Sequence, residues 1–315
     1  MSTTPSISDI PYTIVGGTRV QPSRERLCGI CAIILDRGSR TVHSETLERV
    51  FRAGVDETVV VLGPSPHYDV EQLARKLQGV RFILLTERVT AGTQINIGIH
   101  ESSCNHIAVM WSDSELGIIS DRTLVRLQES EALCVVPTVR SERGTVVPSV
   151  TAPAFYGTKF RTIPAQPGTK GDSLYPYDYM AIYDRARFVH LGGFDRSIIN
   201  PYWQLLDFGF RGYLWGERIS VLPGFRIDAT RAFPPVDTTL DASYARFYLK
   251  NLAVRFAGDS GKLSSRRLLT LISRSGLGPF EAIRLFQEAR KWVKENRYRF
   301  CQDARRITEL WEVDE

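Results

Sequence analysis

The acid with the most unusual surroundings in this sequence is Asp207. It stands between Leu206 and Phe208, and it is the only acid between Asp195 and Glu217. Apolar neighbours raise the pKa of a carboxyl group by desolvation, which suits such a group to accept a proton near neutral pH. A structural alternative stays open, because Asp207 could simply cap or pin the helix in which it lies. The sequence thus offers one candidate general base, whose position depends on the surrounding elements.

Strands and helices alternate in the first third of the chain. Apolar runs of strand length occur at residues 27–35, 57–63, 80–85 and 105–111, and helical patterns occur at residues 45–53, 69–78 and 90–102. This alternation predicts an α/β fold with a mostly parallel, doubly wound sheet. Ligands of such sheets bind beyond the carboxyl ends of the strands. We therefore expect the loops after residues 35, 63 and 111 to line the site.

Length and composition exclude several classes of protein. The 315 residues suffice for one large α/β domain with an extension, and no internal repeat is present. The longest apolar runs are strand-sized, well short of the roughly 20 residues that cross a bilayer. The N-terminus lacks the pattern of a secretory signal, so we expect a cytoplasmic protein. Cys28 and Cys31 form a Cys-x-x-Cys inside an apolar run, which favours reduced core thiols over metal or redox chemistry.

The segment of residues 140–174 is rich in Gly, Pro, Ser and Thr. It predicts a long loop, which could be a lid over a ligand or a plain solvent loop. Tyr175, Tyr177 and Tyr179 follow at alternating positions, as on a half-buried strand.

After about residue 238 the pattern becomes helical and basic. The helical patterns cover residues 241–256, 264–273, 279–299 and 302–311. A basic face of this kind attracts anionic surfaces such as phospholipid headgroups, or it is simply solvated. The segment carries no nucleic-acid-binding fingerprint, so we expect no nucleic-acid partner.

The most specific stretch is residues 191–217, which read LGGFDRSIINPYWQLLDFGFRGYLWGE. It resembles the family 2 glycosyltransferases, whose second half carries a Gly-Gly-Phe-Asp turn, a Glu-Asp pair, a further Asp and a helix ending in Arg. The likeness covers most of residues 27–257 and implies a GT-A fold with a C-terminal helical extension. Asp207 takes the place of the family's second Asp, but the pair that supplies the catalytic base corresponds to residues 204–205, Gln and Leu. With that position vacant, Asp207 is the predicted base.

The same resemblance implies a set of substrate-binding residues. They are Asn96, Asp113, Gly192, Gly193, Phe194, Asp195, Trp203 and Arg211.

The residues that follow the strand at 105–111 resemble the Asp-x-Asp with which the family holds a divalent cation against a nucleotide diphosphate. Trp111 replaces the first Asp, Asp113 retains the second, Glu115 follows, and Asp228 stands near the position of a late His. The resemblance implies Mg²⁺ or Mn²⁺ held by Asp113, Glu115 and Asp228, whose hard oxygens suit these ions.

Two alternatives to this metal site remain. Asp113 could cap a strand–helix turn, or basic side chains could neutralise a diphosphate directly. The candidates for the second role are Arg226, Arg231, Lys159 and Arg161.

The function that the resemblance implies is transfer of a sugar from a nucleotide-sugar donor to an acceptor hydroxyl, with inversion of the anomeric centre. The acceptor is left open among glycans, lipid-linked sugars and proteins, and contact with the inner face of an anionic membrane is a further expectation. The substitutions at positions 111, 204 and 205 favour an alternative of another class. In that alternative the chain is a GT-A scaffold without catalysis that serves as a binding or partner subunit.

The domain division follows the same patterns. Residues 1–26 are a predicted surface segment, residues 27–237 a GT-A domain and residues 238–315 a basic helical extension. Within the domain, residues 27–139 form the predicted nucleotide-sugar-binding half and residues 140–237 the acceptor-binding half.

Overall fold

A computed structural model of the chain describes residues 10–17, 29–37, 44–66, 69–157, 159–166, 169, 171–274 and 276–311. Cys28 and most of the predicted surface segment 1–26 lie outside the described residues. Residues 12–15 of that segment form an edge strand of the main sheet, so this part is not merely a surface tail.

Most of the strands in the described part belong to one nine-stranded sheet. The strands are β1 Tyr12–Val15, β2 Ile30–Leu35, β3 Glu57–Leu62, β4 Val80–Leu85, β5 His106–Trp111, β6 Ser114–Leu116, β7 Cys134–Arg140, β8 Thr151–Tyr156, β9 Lys159–Pro164, β10 Ala181–Asp184, β11 Ile219–Ala229, β12 Arg255–Phe256 and β13 Gly261–Lys262.

The helices flank this sheet and fill the C-terminal part of the chain. They are α1 Ser44–Arg52, α2 Val70–Lys76, α3 Ala91–Glu101, α4 Asp121–Gln128, α5 Arg185–Leu191, α6 Pro201–Leu214, α7 Ala242–Phe247, α8 Arg266–Arg274, α9 Pro279–Asn296 and α10 Ala304–Glu309. A π-helical turn, Tyr248–Leu252, extends α7. No helix in the described ranges is both long and apolar enough to cross a membrane.

The sheet has the order β1-β4-β3-β2-β5-β10-β7-β11-β6. Strands β2, β3, β4 and β5 are parallel, and β7 and β11 form a second parallel pair that points the same way. Strand β10 runs antiparallel between β5 and β7, and β1 and β6 are antiparallel edge strands. The predicted α/β fold with a mostly parallel sheet is confirmed.

Burial explains why the central strands read as continuous apolar runs. Every residue of β2 and β3 is buried, because helices cover both faces of the sheet. Helix α6 packs closely against the segment before β10, since a Cβ at Gly209 would stand 1.9 Å from the Leu174 carbonyl oxygen. Only glycine fits there, and this close approach sets the position of the residues around it on α6.

The segment before β10 differs from the prediction. The three alternating tyrosines do not lie on a strand, because Tyr177–Tyr179 is a 3₁₀ turn. Asp178 and Tyr179 both adopt left-handed backbone angles, with φ of 49° and 66°. A non-glycine residue rarely adopts these angles, and they often mark functional positions.

Residues 140–174 hold a β-hairpin rather than a plain loop. Strands β8 and β9 pair antiparallel, and Phe155 of β8 contacts Phe160 of β9 edge to face at 5.7 Å. Phe160 also packs on Phe210 of α6 at 5.1 Å, so the hairpin is anchored to the main core.

The C-terminal segment belongs to the same core as the sheet. Phe247, Val293, Phe300 and Ile307 are buried in the main apolar cluster, and a smaller cluster joins α7, α8 and α9. A helix lies within each of the four ranges predicted as helical in this segment, to within one residue, but residues 255–256 of the first range form strand β12. Residues 238–311 therefore pack as part of one body with the sheet.

Candidate active site

The carboxyl ends of the parallel strands form one edge of the sheet, where ligands of α/β folds bind. Arg37 follows β2 and Asp113 follows β5, and these strands are neighbours, with Leu35 opposite Trp111. Because β10 runs the opposite way, the residue that precedes it, Asp178, lies at the same edge. We call Arg37, Trp111, Asp113 and Asp178 the edge cluster.

Arg37 is the centre of the edge cluster. Its Nε lies 3.3 Å from the nearer Asp113 carboxylate oxygen, and its Nη2 binds the Asp178 carboxylate. Its guanidinium carbon lies 3.8 Å from the centroid of the Trp111 ring, a cation–π contact. The Trp111 Nε1–H donates to the backbone oxygen of Asp178 at 2.8 Å. One cation and one indole thus join three segments that are distant in sequence.

The edge cluster has more negative than positive charge. Burial raises the pKa of Asp178 to about 6, Arg37 partly offsets this rise, and the Asp113 carboxylate adds to it. Two carboxylates share one guanidinium, so a further cation would be favoured when both are ionised. Mg²⁺ often uses only one or two carboxylates together with substrate phosphates. Asp113 and Asp178 fit such an ion.

Glu115 and Asp228 do not join this pair. They are direct cross-strand neighbours on β6 and β11, but Glu115 binds Arg49 of α1 and Asp228 lies 3.0 Å from Arg226. No three His, Cys, Asp or Glu side chains of the described ranges could hold a metal ion together. The three-carboxylate set named from the sequence is therefore not assembled, whereas metal binding by Asp113 stays a prediction.

The Gly-Gly-Phe-Asp turn follows α5 as predicted. Gly192 ends α5 with a left-handed φ of 90°, and a Cβ on Gly193 would stand 2.5 Å from the Asn96 side-chain oxygen. Asn96 accepts from the Phe194 N–H at 2.9 Å and donates to the Phe194 oxygen at 2.8 Å. Phe194 itself is fully buried and stacks on Phe208. The polar groups of these four predicted substrate-binding residues are used to hold the turn in place.

Gln204 occupies the position where the resemblance places the catalytic base. Its amide donates to the Asp195 backbone oxygen at 2.8 Å and to the Thr90 hydroxyl at 3.1 Å. Its oxygen accepts from Tyr179 at 2.9 Å and from the Gly92 N–H at 3.2 Å. The side chain is fully buried, and its hydrogen bonds join the first turn of α6 to α3. It has no surface for a substrate.

Asp207 is fully buried, but its surroundings are not apolar as predicted. Arg211 donates to one carboxylate oxygen through Nε at 3.2 Å and Nη2 at 3.0 Å. Asn251 donates to the other at 2.8 Å, and the Lys250 ammonium lies 3.5 Å away. Arg211 also donates to the Leu191 and Gly193 carbonyl oxygens, both at 2.7 Å. The leucines and the phenylalanine next to Asp207 in sequence lie on other sides of α6. The apolar surroundings predicted for Asp207 from these neighbours were therefore wrong.

Asp195 completes this arrangement, and we call Asp195, Asp207, Arg211, Lys250 and Asn251 the Asp207 cluster. Lys250 donates to Asp195 at 2.7 Å, and Ser197 donates to it through its backbone N–H and its hydroxyl. Burial alone would raise the pKa of Asp195, but Lys250 and Ser197 outweigh it and hold that pKa below its usual range. With two carboxylates and two cations the charges of the cluster balance.

Two large cavities flank these elements. The first, of 920 Å³, lies between the Gly-Gly turn and α9, and Asp195, Arg211 and Lys250 reach it. The second, of 830 Å³, lies between the β8–β9 hairpin and the C-terminal helices. Trp203 lines the second cavity and donates its indole N–H to the Thr239 carbonyl oxygen at 2.7 Å.

Sequence reasoning missed Arg37 and Asp178. Arg37 stands in the loop after residue 35, which was expected to line the site, so a charged residue directly after a buried strand was an available signal. Asp178 gave no such signal, because its position depends on the antiparallel direction of β10. The alternating tyrosines instead predicted a strand through it.

Neither a protein-family model nor a curated protein matches the chain. Solved structures do. A crystal structure of GalNAc-T7 with UDP, GalNAc and Mn²⁺ matches with a TM-score of 0.60 at 13% identity over 91% of this chain. Residues 1–349 of S. aureus TarS match with a TM-score of 0.50 at 15% identity over 83% of this chain. The chain has the GT-A fold.

These neighbours are GT-A glycosyltransferases. The chain spans 57% of the GalNAc-T7 chain and 70% of the TarS chain. At such identities the likeness establishes the GT-A fold, and membership of family 2 stays a prediction.

Proposed function

We propose that this GT-A protein transfers a sugar from a nucleotide-sugar donor to an acceptor hydroxyl. The observation that carries the proposal is the edge cluster, which concentrates a guanidinium, an indole and two carboxylates at the ligand-binding edge of the sheet. The structural neighbours supply the class of donor: GalNAc-T7 was crystallised with UDP, and TarS with UDP-GlcNAc.

In this proposal Asp113 and Asp178 hold Mg²⁺ or Mn²⁺. The ion would neutralise the charge that develops on the departing nucleoside diphosphate, and Mn²⁺ is present in the GalNAc-T7 structure. Arg37 adds a fixed positive charge beside the same phosphates, where a guanidinium binds phosphate oxygens well. Trp111 keeps the Arg37 guanidinium in place through its ring face and fixes the Asp178 backbone through its N–H.

The general base and the anomeric outcome stay predictions. Asp207 has no exposed surface and both of its oxygens are bonded, so the geometry favours a structural role for it. The same observation, with Gln204 locked at the family's base position, favours a second candidate function. In that candidate the chain binds a nucleotide sugar without turnover and serves as a binding or partner subunit.

A screen of nucleotide sugars with purified protein separates the two candidates. A transferase hydrolyses its donor slowly without acceptor, whereas a binding subunit binds the nucleotide sugar with no release of nucleoside diphosphate. For the metal, we expect Mn²⁺ to tighten UDP binding relative to chelator, and Asp113→Asn and Asp178→Asn each to remove that increment. Equal UDP affinity with Mn²⁺ and with chelator would overturn the metal assignment and leave Arg37 as the diphosphate partner.

Membrane contact and cytoplasmic location also stay predictions. Helix α8 exposes Leu269, and the first turn of α9 exposes Phe280. Apolar side chains beside basic ones are typical of surfaces that meet anionic headgroups. Binding to anionic vesicles that weakens as salt is added would support this contact.

A further inference from the structure

The second cavity has an unusual charge. Its lining includes five basic side chains and no acidic one: Lys159, Arg161, Arg255, Arg267 and Arg305. They come from the β9 strand, from the segment after the π-helical turn, and from α8 and α10. Elements distant in sequence thus converge to make one positive concave surface.

Most of these cations lack a carboxylate partner within the described ranges. Arg255 lies 3.5 Å from Asp303, and Arg161 faces the Tyr156 ring at 5.8 Å. Lys159, Arg267 and Arg305 form no ion pair there, although exposed arginines elsewhere on the chain pair with acids one helical turn away. Uncompensated cations that point into one cavity favour an anionic ligand.

Aromatic side chains form the rest of the wall. They are Phe155, Phe160, Tyr202, Trp203, Tyr244 and Tyr248. Aromatic rings with a polar group at one end suit a ligand that is part apolar face and part polar. The Tyr202 hydroxyl pairs with the Thr162 hydroxyl at 3.1 Å, which ties the hairpin to α6.

The cavity and the edge cluster are joined through the first turn of α6. Tyr202 and Trp203 of this turn line the cavity. The Tyr179 hydroxyl donates to Gln204 in the same turn at 2.9 Å, and Tyr179 directly follows Asp178 of the edge cluster. A short chain of contacts through α6 therefore connects the cavity to the edge cluster.

We propose that this cavity binds the acceptor, and that the acceptor carries a phosphate group next to a sugar ring. The proposal rests on the proposed function and adds the chemical class of the acceptor. Arginine forks bind phosphate oxygens in pairs, and the aromatic wall accommodates the ring. Several separate cations favour a phosphate, with its three or four oxygens, over a single carboxylate. The phosphate could belong to a soluble phosphorylated glycan or to a lipid-linked sugar phosphate.

The test compares two double variants of the full chain. Arg267→Gln with Arg305→Gln removes two cavity cations, and Arg266→Gln with Arg306→Gln removes their exposed sequence neighbours, which do not line the cavity. The ligand is a synthetic disaccharide that carries a phosphate monoester, with the same disaccharide without phosphate as the neutral control. We expect calorimetry to show binding of the phosphorylated disaccharide only, weakened roughly tenfold or more in the first variant and unchanged in the second.

Further arms identify the source of the phosphate. Phosphatidylcholine vesicles that contain a polyprenyl-phosphate sugar would bind in place of the disaccharide if the acceptor is lipid-linked, with the same dependence on Arg267 and Arg305. Binding to these polyprenyl-phosphate vesicles that is equal in both double variants would overturn the proposal. Equal or tighter binding of a uronic-acid disaccharide would also overturn it, since the cavity would then select a negative charge and not a phosphate. Tighter binding of a single-stranded oligonucleotide would overturn the assignment to a sugar acceptor, since the cavity would then select a nucleic acid.

A measurement of nucleotide binding separates this test from the test of the proposed function. UDP affinity in the presence of Mn²⁺ should be the same in both double variants, because neither touches the edge cluster. If the wild type binds no nucleotide of the screen, the proposed function fails; if it binds nucleotide but neither form of the phosphorylated sugar, only the present inference fails.

Discussion

The edge cluster and the Asp207 cluster are both built from aspartates and basic side chains, but they differ in how completely their charges are paired. In the Asp207 cluster Arg211, Lys250 and Asn251 bond both carboxylates, and Asp207 has no exposed surface. In the edge cluster two carboxylates share Arg37, and each keeps some exposed surface. A cluster whose charges balance around a buried carboxylate stabilises the fold, whereas an incompletely paired one at the ligand-binding edge keeps capacity for a ligand.

Because of this difference, the candidate ligand-binding residues lie elsewhere than the spacing of residues in the sequence indicated. The residues that match the family's most specific stretch lie in or beside the Asp207 cluster, where they hold the Gly-Gly turn, α6 and the π-helical turn after α7 together. Arg37 and Asp178, which belong to the incompletely paired cluster, lie outside that stretch.

Asp207→Asn should mainly destabilise the protein. It removes the charge that Arg211 and Lys250 share, and breaking a buried ion pair costs about 3 to 5 kcal/mol. We expect urea unfolding to show a loss of roughly 3 kcal/mol at neutral pH. UDP affinity of the folded variant should equal that of the wild type, because Asp207 does not contact the edge cluster.

The opposite pattern would identify Asp207 as the general base. Turnover that falls by about 10² to 10⁴-fold in a variant of wild-type stability would contradict a purely structural role for Asp207. Asn251→Ala serves as the matched control, since it removes another bond to the Asp207 carboxylate and leaves the carboxylate itself. It should destabilise in the same direction, with turnover per folded molecule unchanged.

Asp195→Asn should change how stability depends on pH. The pKa of Asp195 is held below its usual range in the folded state, whereas an unfolded Asp titrates near pH 3.9. Its contribution is therefore present above about pH 4 and is lost as the pH falls through the folded pKa. We expect the variant to be less stable by about 2 kcal/mol at pH 7, with the gap closing below about pH 4.

Chemical unfolding of both proteins from about pH 7 to about pH 2.5 measures this gap. A gap that stays constant across the range would mean that the Lys250–Asp195 pair does not contribute through charge. The loss would then come from the bonds that Ser197 donates.

Much of the fold could be predicted because the local signals agree with the final packing. Residues 30–35 and 59–62 are apolar at every position, which suits strands covered on both faces, and the helices between these strands carry apolar stripes. The hairpin at residues 151–164 was missed, since Gly, Pro and Thr residues favour loops locally. Its stability comes from contacts with α6, which lie far away in sequence.

The site was harder to predict because it is made of single residues from distant segments. Asp113 could be located from the strand that precedes it, but its partners could not, because Arg37 and Asp178 reach it only through the strand order. The surroundings of Asp207 were predicted wrongly for a related reason. Its sequence neighbours are apolar, but its spatial neighbours are Arg211, one helical turn later, and Asn251, which lies 44 residues further on.

Glu115→Gln should have the smallest effect, and it tests where the edge cluster ends. Glu115 binds Arg49 on the surface, with each side chain 42% exposed, and pairs of this kind contribute about 0 to 1 kcal/mol. We expect stability to change by less than about 0.5 kcal/mol and the Mn²⁺-dependent gain in UDP affinity to stay unchanged. Asp113→Asn, two residues earlier, should remove that gain, because its carboxylate contacts Arg37 at the edge. If Glu115→Gln removed the gain as fully as Asp113→Asn, the Arg49 pair would have to open on metal binding. Glu115 would then belong to the edge cluster, as the resemblance implied.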